Sequence, residues 1–143
     1  MNDKFFLDTN ILVYTFDEEN PEKRSRARSL VADALAGSRG VISYHVAQEF
    51  LNSALRRFAK PLSPADAERY LTVVLEPLCA VFASVELLHQ AIDISGRWKY
   101  SFYDSLVIAS ALQAGCSVLY SEDLQHGQKI GDLRILNPFI SWP

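Results

Sequence analysis

At 143 residues, with 49% hydrophobic and 22% charged positions, the chain has the size and composition of one ordinary globular domain. A net charge of −3 argues against a protein held on nucleic acid mainly by bulk positive charge, but it leaves room for an enzyme with a local acidic site. No stretch approaches the roughly 18 uninterrupted apolar residues of a membrane span, because Glu76, Pro77, Glu86 and His89 interrupt the most apolar region.

Met1-Asn2-Asp3-Lys4 runs straight into the apolar Phe5-Phe6-Leu7, which leaves no signal peptide and suits a short buried parallel strand. Asp8 follows at the strand's carboxyl end and Asn10 two residues on, where they either cap the helix from Ile11 or begin a polar site. Asn20-Pro21-Glu22 has the pattern of a helix start, with Leu30, Val31, Ala34 and Leu35 on the inner face and Gly37 at the end. Val41 to Ser43 predicts a second strand, and Tyr44 to about Phe58 a helix that buries Val46, Phe50 and Ala54. Ser63-Pro64 opens another helix to about Leu75, ended by Pro77, before a third strand over Cys79 to Phe82.

The helix after Ser84 carries Leu88, Ala91, Ile92 and Ser95 and ends near Gly96. A nearly all-apolar helix begins at Tyr103 or Asp104 and stops at Gly115, which predicts burial between layers. Ser117 to Tyr120 is a fourth strand, Gln125 to Asp132 a loop, and Leu133 to Leu136 a short edge strand. Strands alternating with helices predict an α/β fold. Its mostly parallel sheet of about four to five strands carries helices on both faces, in one domain over residues 1–143. Cys79 and Cys116 form no C-x-x-C pair and read as buried free thiols of a cytoplasmic protein.

Asp8 and Asp123 each follow a strand, Asp104 opens the helix leading into the fourth strand, and Glu49 lies one turn into the helix after the second. Four carboxylates from four segments therefore converge on the carboxyl edge of the sheet. A pair about 4 Å apart costs on the order of 4 kcal/mol at an effective dielectric near 20, so such a group must protonate, find cations or bind a metal. Oxygen-only ligands select a hard ion, Mg²⁺ or Mn²⁺, suited to phosphodiester hydrolysis. Asn10 and Ser121 can orient a carboxylate or a water without adding charge.

Leu7-Asp8-Thr9-Asn10-Ile11-Leu12, Ala47-Gln48-Glu49-Phe50, Tyr103-Asp104-Ser105-Leu106 and Ser121-Glu122-Asp123-Leu124 together resemble the PIN domain, in order and spacing across essentially the whole chain. More narrowly they resemble the VapC-type toxins of VapBC toxin–antitoxin pairs. The resemblance implies a Mg²⁺- or Mn²⁺-dependent endoribonuclease acting on RNA, a homodimer, and inhibition by a cognate VapB-type antitoxin. It makes Asp8, Glu49, Asp104 and Asp123 the acidic quartet, with Asn10 and Ser121 as its polar neighbours. Two other readings stand beside it: a PIN-like binding module without activity, and a phosphatase using Asp8 as nucleophile. Asn10 counts against the second, since that chemistry usually wants an acid at this position.

His45 and Glu49 stand four apart, a spacing that can bind zinc, but no third nitrogen or sulfur ligand is evident. Lys23, Arg24, Arg26 and Arg28 read as a solvated helix face, and Arg56, Arg57 and Lys60 as complements to a helix dipole. Trp98, Tyr100, Phe102 and Tyr103 are candidates for base stacking, with packing against the core or a second subunit as the plainer expectation.

Overall fold

Phe5, Phe6 and Leu7 are covered on both sides and form β1 (Phe5–Leu7), the middle of the sheet in the computed structural model, which describes residues 2–140. Met1 and residues 141–143 of the expected domain lie outside the described residues. From β1 the chain passes through α1 (Thr9–Tyr14) and α2 (Pro21–Gly37) to β2 (Gly40–Ser43). It continues through α3 (Tyr44–Arg56), α4 (Pro64–Tyr70) and α5 (Glu76–Leu78) to β3 (Cys79–Val81). Then come α6 (Val85–Trp98), α7 (Phe102–Gln113), β4 (Val118–Tyr120), β5 (Lys129–Ile130) and β6 (Leu133–Leu136).

The sheet order is β3-β2-β1-β4-β6-β5, parallel except for the β5–β6 pair. Connections from β1 step outward to β2 and β3, and the chain then returns through α6 and α7 to β4 on the other side of β1. Right-handed crossovers in opposite directions put α1 to α5 on one face and α6 with α7 on the other. The reversal falls between β1 and β4, where Leu7 pairs with Tyr120, and this is the place where open α/β sheets leave a crevice beyond their strand ends.

The α/β fold with a mostly parallel sheet is as expected, but the sheet has six strands rather than four to five. The extra strand, β5, lies inside the segment expected to be loop. Gly131, at a φ of 60°, and Asp132 make a two-residue hairpin turn onto β6, a turn for which glycine is favoured. Pro77 does not end the preceding helix. A π turn over Leu71–Leu75 widens the backbone just before it, and Pro77 sits in the short helix that follows. The wider turn suits a residue that lacks an N–H and crowds the carbonyl four residues back.

Along α6 the buried residues are Leu87, Ala91 and Ile94, while Leu88 and Ile92, which the sequence also places on this helix, face solvent. Two adjacent apolar stripes run along this helix, and contact with α7 buries one of them. Leu35 is likewise exposed, and α2 buries Ala27, Leu30, Val31 and Ala34 instead. Asn20 makes no cap bond to α2, since its amide donates to Asp17. α2 approaches β2 so closely that a Cβ on Gly40 would lie 2.2 Å from Ala34 Cβ and 2.7 Å from the Phe5 ring. The apolar α7 is buried from Ser105 to Ala111, as its composition predicts. Cys116 is buried and Cys79 only partly so; both are free thiols.

Candidate active site

The backbone of Asp8 continues the ladder for one bond past β1, its N–H donating to Tyr120 O at 3.1 Å, and so fixes Asp8 beside the exit of β4. The carboxylate caps α1, with Oδ1 accepting from Thr9 N at 2.7 Å. Its other oxygen accepts from the Ser121 hydroxyl at 2.7 Å. Cap and site are thus one residue: one oxygen serves the helix and the other faces the crevice. Asn10 bridges the two strand exits. Its Oδ1 accepts from Glu122 N at 3.1 Å, which fixes the amide orientation. Its Nδ2 then points at Asp123 Oδ2 at 3.1 Å, Ser121 Oγ at 3.3 Å and Asp8 Oδ2 at 3.4 Å. The amide places partial positive charge between two carboxylates. Ser121, fully buried, also accepts from Asp123 N at 3.2 Å, so a single hydroxyl links both acids.

Glu49 reaches this group from α3, where Ser43 caps the helix and aims its first turns at the rim. Glu49 Oε1 accepts from Thr9 Oγ1 at 2.9 Å and lies 3.3 Å from His45 Nε2, a contact too poorly aligned to count as a hydrogen bond. Asp104 sits in the first turn of α7, held at this edge by the Ser101 cap. The neighbouring Tyr103 ring stacks on His45 at 5.2 Å, which ties the start of α7 to the start of α3. Asp8, Asn10, Ser121 and Asp123 are therefore in direct contact, and Glu49 joins through Thr9. Asp104 stands on the same rim without a hydrogen bond from its side chain to the others. Among the described residues, no three His, Cys, Asp or Glu side chains close into a set that could hold a metal ion as they stand.

Burial pushes the Asp8 carboxyl up to about 6, and the negative charges of Glu49 and Asp123 add to the rise. The Ser121 hydroxyl and the Thr9 N–H pull the other way. Glu49 is lowered instead, first by the His45 ring and then by Thr9, against its partial burial. The rim thus holds one strained acid, buried and short of counter-charge, and one comfortable acid.

Sequence reasoning missed the group that holds the loop after β4. Lys23 Nζ meets Glu122 Oε2 at 2.6 Å and Tyr14 Oη at 3.3 Å, and lies 4.9 Å above the Tyr14 ring. Tyr14 also donates to Glu122 Oε1, and Phe139 packs on its ring at 4.8 Å. Because Glu122 N donates to Asn10, this clamp sets the position of the bridging amide. The basic run of α2 is not a uniformly solvated face: Lys23 is committed to Glu122, and Arg28 donates to Thr15 O at 2.9 Å. Thr9, inside the Asp8-Thr9-Asn10 motif, was the one legible signal of a further site residue.

The donor set is all oxygen, and the buried Asp8 carboxylate lacks compensating charge, so the donor chemistry suits a hard divalent cation, although the described side chains are not closed around one as they stand. Zinc is a poorer fit, since His45 is turned to Tyr103 and Glu49 and, among the described residues, joins no group of three His, Cys, Asp or Glu that could hold an ion. A nucleophilic role for Asp8 is disfavoured too: it is 7% exposed and both oxygens are engaged.

The PIN domain family profile matches residues 5–129. No curated protein sequence matches the chain significantly. Solved structures with a similar fold include a toxin–antitoxin complex from Klebsiella pneumoniae, with a TM-score of 0.70 and 16% identity over 95% of this chain and 98% of that one. Mycobacterium tuberculosis VapC20, a sarcin–ricin loop cleaving toxin, aligns with a TM-score of 0.64 and 22% identity over 84% and 90%. DNA-bound VapBC from Salmonella typhimurium gives 0.61 and 23% over 93% and 96%.

Proposed function

The chain belongs to the PIN domain family, and from that premise we propose that it is a Mg²⁺- or Mn²⁺-dependent endoribonuclease, the toxin of a type II toxin–antitoxin pair. The observation that carries the proposal is the buried Asp8 carboxylate, undercompensated and joined through Ser121 and Asn10 to Asp123, with Glu49 and Asp104 on the same rim. The toxin names of the structural neighbours support the same reading. The partners are an RNA substrate, a VapB-type antitoxin and a second copy of the chain, and the setting is the cytoplasm. Among the described residues no helix is long and apolar enough to cross a membrane.

Asp8, Glu49, Asp104 and Asp123 are the residues that would hold the ion. Bound there, a divalent cation lowers the pKa of a water nucleophile and stabilises the leaving oxygen of a phosphodiester. The chain's own contribution is preorganisation. Ser121 and Thr9 fix the two oxygens of Asp8, Asn10 holds Asp123 toward it, and Thr9 turns Glu49 inward. The experiment that tests this is incubation of the purified, antitoxin-free protein with a structured RNA pool in Mn²⁺, Mg²⁺ or EDTA, with Asp104→Asn in parallel. Discrete, EDTA-sensitive cuts that vanish in the variant are expected. A folded protein that neither binds Mn²⁺ nor cuts RNA would refute it.

A further inference from the structure

Four aromatic side chains around the junction of α6 and α7 have different fates. Tyr100 is half-buried and bonded to Gln128, whereas Trp98 and Phe102 are partly covered. Tyr103 is 62% exposed although its ring stacks on His45 with an interplanar angle of only 9°. His45 backs one face of the ring and leaves the other toward solvent. Phe102 meets it at 74°, as a wall rather than a second stacking layer. The exposed ring is no product of core packing, since burial of α7 begins only at Ser105 and runs to Ala111.

The stack is anchored in the acidic rim. His45 Nε2 lies 3.3 Å from Glu49 Oε1, and Tyr103 immediately precedes Asp104. Because His45 touches both the ring and Glu49, a nucleotide held at Glu49 has its base within reach of Tyr103. Lys99 is exposed in the short connection into α7. The apolar groove beyond, lined by Tyr44, Phe82, Val85 and Leu88, differs in kind: its two rings are tilted at 39° with centroids 6.3 Å apart, and aliphatic side chains flank them.

We propose that Tyr103, backed by His45, is a stacking subsite for the base of the nucleotide adjoining the scissile phosphate, which must be unstacked from its neighbours to enter. The inference rests on the ribonuclease reading and extends it to how the substrate is held. Stacking on an aromatic ring is tolerant of base identity, so the subsite selects for single-stranded or looped RNA and not for a sequence.

The test is equilibrium binding of a fluorescein-labelled, single-stranded 12-nucleotide RNA in Ca²⁺, with probe integrity checked on a gel. It compares wild type, Tyr103→Leu, Tyr103→Phe and Tyr103→Trp, each verified as folded by urea denaturation. Tyr103→Leu is expected to bind roughly five- to 150-fold more weakly, the range for loss of one stacked base. Tyr103→Phe and Tyr103→Trp should stay within about twofold of wild type. Replacing bases one at a time by abasic sites should reproduce the loss in wild type at one position and have no effect there in Tyr103→Leu. Unchanged binding by Tyr103→Leu overturns the proposal, and so does a change of oligomeric state in that variant by sedimentation, which would assign Tyr103 to a protein interface. Tyr103-dependent binding without any cleavage would leave the subsite standing while refuting the ribonuclease reading. Cleavage with an unchanged KM in Tyr103→Leu would do the reverse.

Discussion

Replacing Asp8 by Asn should make the metal-free protein more stable at neutral pH while removing its chemistry. Burial raises the Asp8 carboxyl from 3.8 to about 6 in the fold. The folded state therefore binds this proton more tightly than the unfolded chain does, and stability falls as pH rises from about 4 through about 6. Above that window the ionised side chain costs about 3 kcal/mol, at 1.36 kcal/mol for each tenfold change in proton affinity. Asparagine has no charge to bury. Its carbonyl can still accept from Thr9 N, but its amide must face the Ser121 hydroxyl, which now donates to Asp8 and already accepts from Asp123 N and Asn10. It must also face the Asn10 amide, which points at the same oxygen. Rearranging those bonds costs about 1–2 kcal/mol, so a net gain of about 1–2 kcal/mol at pH 7.5 is expected, or about 3–6 °C in Tm for a domain of this size. The assay is urea unfolding in EDTA from pH 4 to 8, with the variant-minus-wild-type difference plotted against pH. That difference should open by about 2–3 kcal/mol between pH 4 and 7.5. A difference that is flat, or that grows toward acid, would refute the account of Asp8 as a strained, buried anion.

Mn²⁺ at about one hundred times its Kd should stabilise wild type by about 2.7 kcal/mol. Thermal denaturation should show that shift reversed by EDTA and largely absent in Asp8→Asn. Lys23→Met breaks a partly exposed pair, so urea unfolding should register less than about 1 kcal/mol. Cleavage should nevertheless fall severalfold in kcat, because Glu122 no longer pins the loop whose N–H orients Asn10. Gly40→Ala should cost about 3 kcal/mol, the upper part of the range for overpacking. The added Cβ would collide with the Ala34 and Phe5 side chains between α2 and the sheet, and the urea midpoint should drop accordingly.

Strand and helix type were legible wherever one periodicity dominated. Phe5 to Leu7 suited a buried strand and the apolar run after Asp104 a buried helix, and both are found. Where two patterns overlapped, the local signal was degenerate. Leu87, Ala91 and Ile94 compete with Leu88 and Ile92 for the same helix, and only the packing of α6 on α7 selects between them. Pro77 had a clear local meaning that the preceding π turn overrode. The strand at Lys129–Ile130 is too short to register by composition and exists because β6 offers it a partner.

For the candidate site, the sequence by itself determined the chemistry: acids of four separate segments, each beside a strand exit or a helix start, with Asn10 and Ser121 among them. That much follows because strand ends and helix starts are local features, and a parallel sheet puts all of its carboxyl ends on one edge. The tertiary structure alone decided which groups touch. The reversal of strand order sets β1 against β4 and brings Ser121 onto Asp8, and Thr9 turns out to hold Glu49. Lys23, nearly a hundred positions before Glu122, closes the clamp that positions Asn10. Burial that lifts a carboxyl, and contacts between residues so far apart along the chain, depend on where separate segments meet in space, a relation no local pattern encodes.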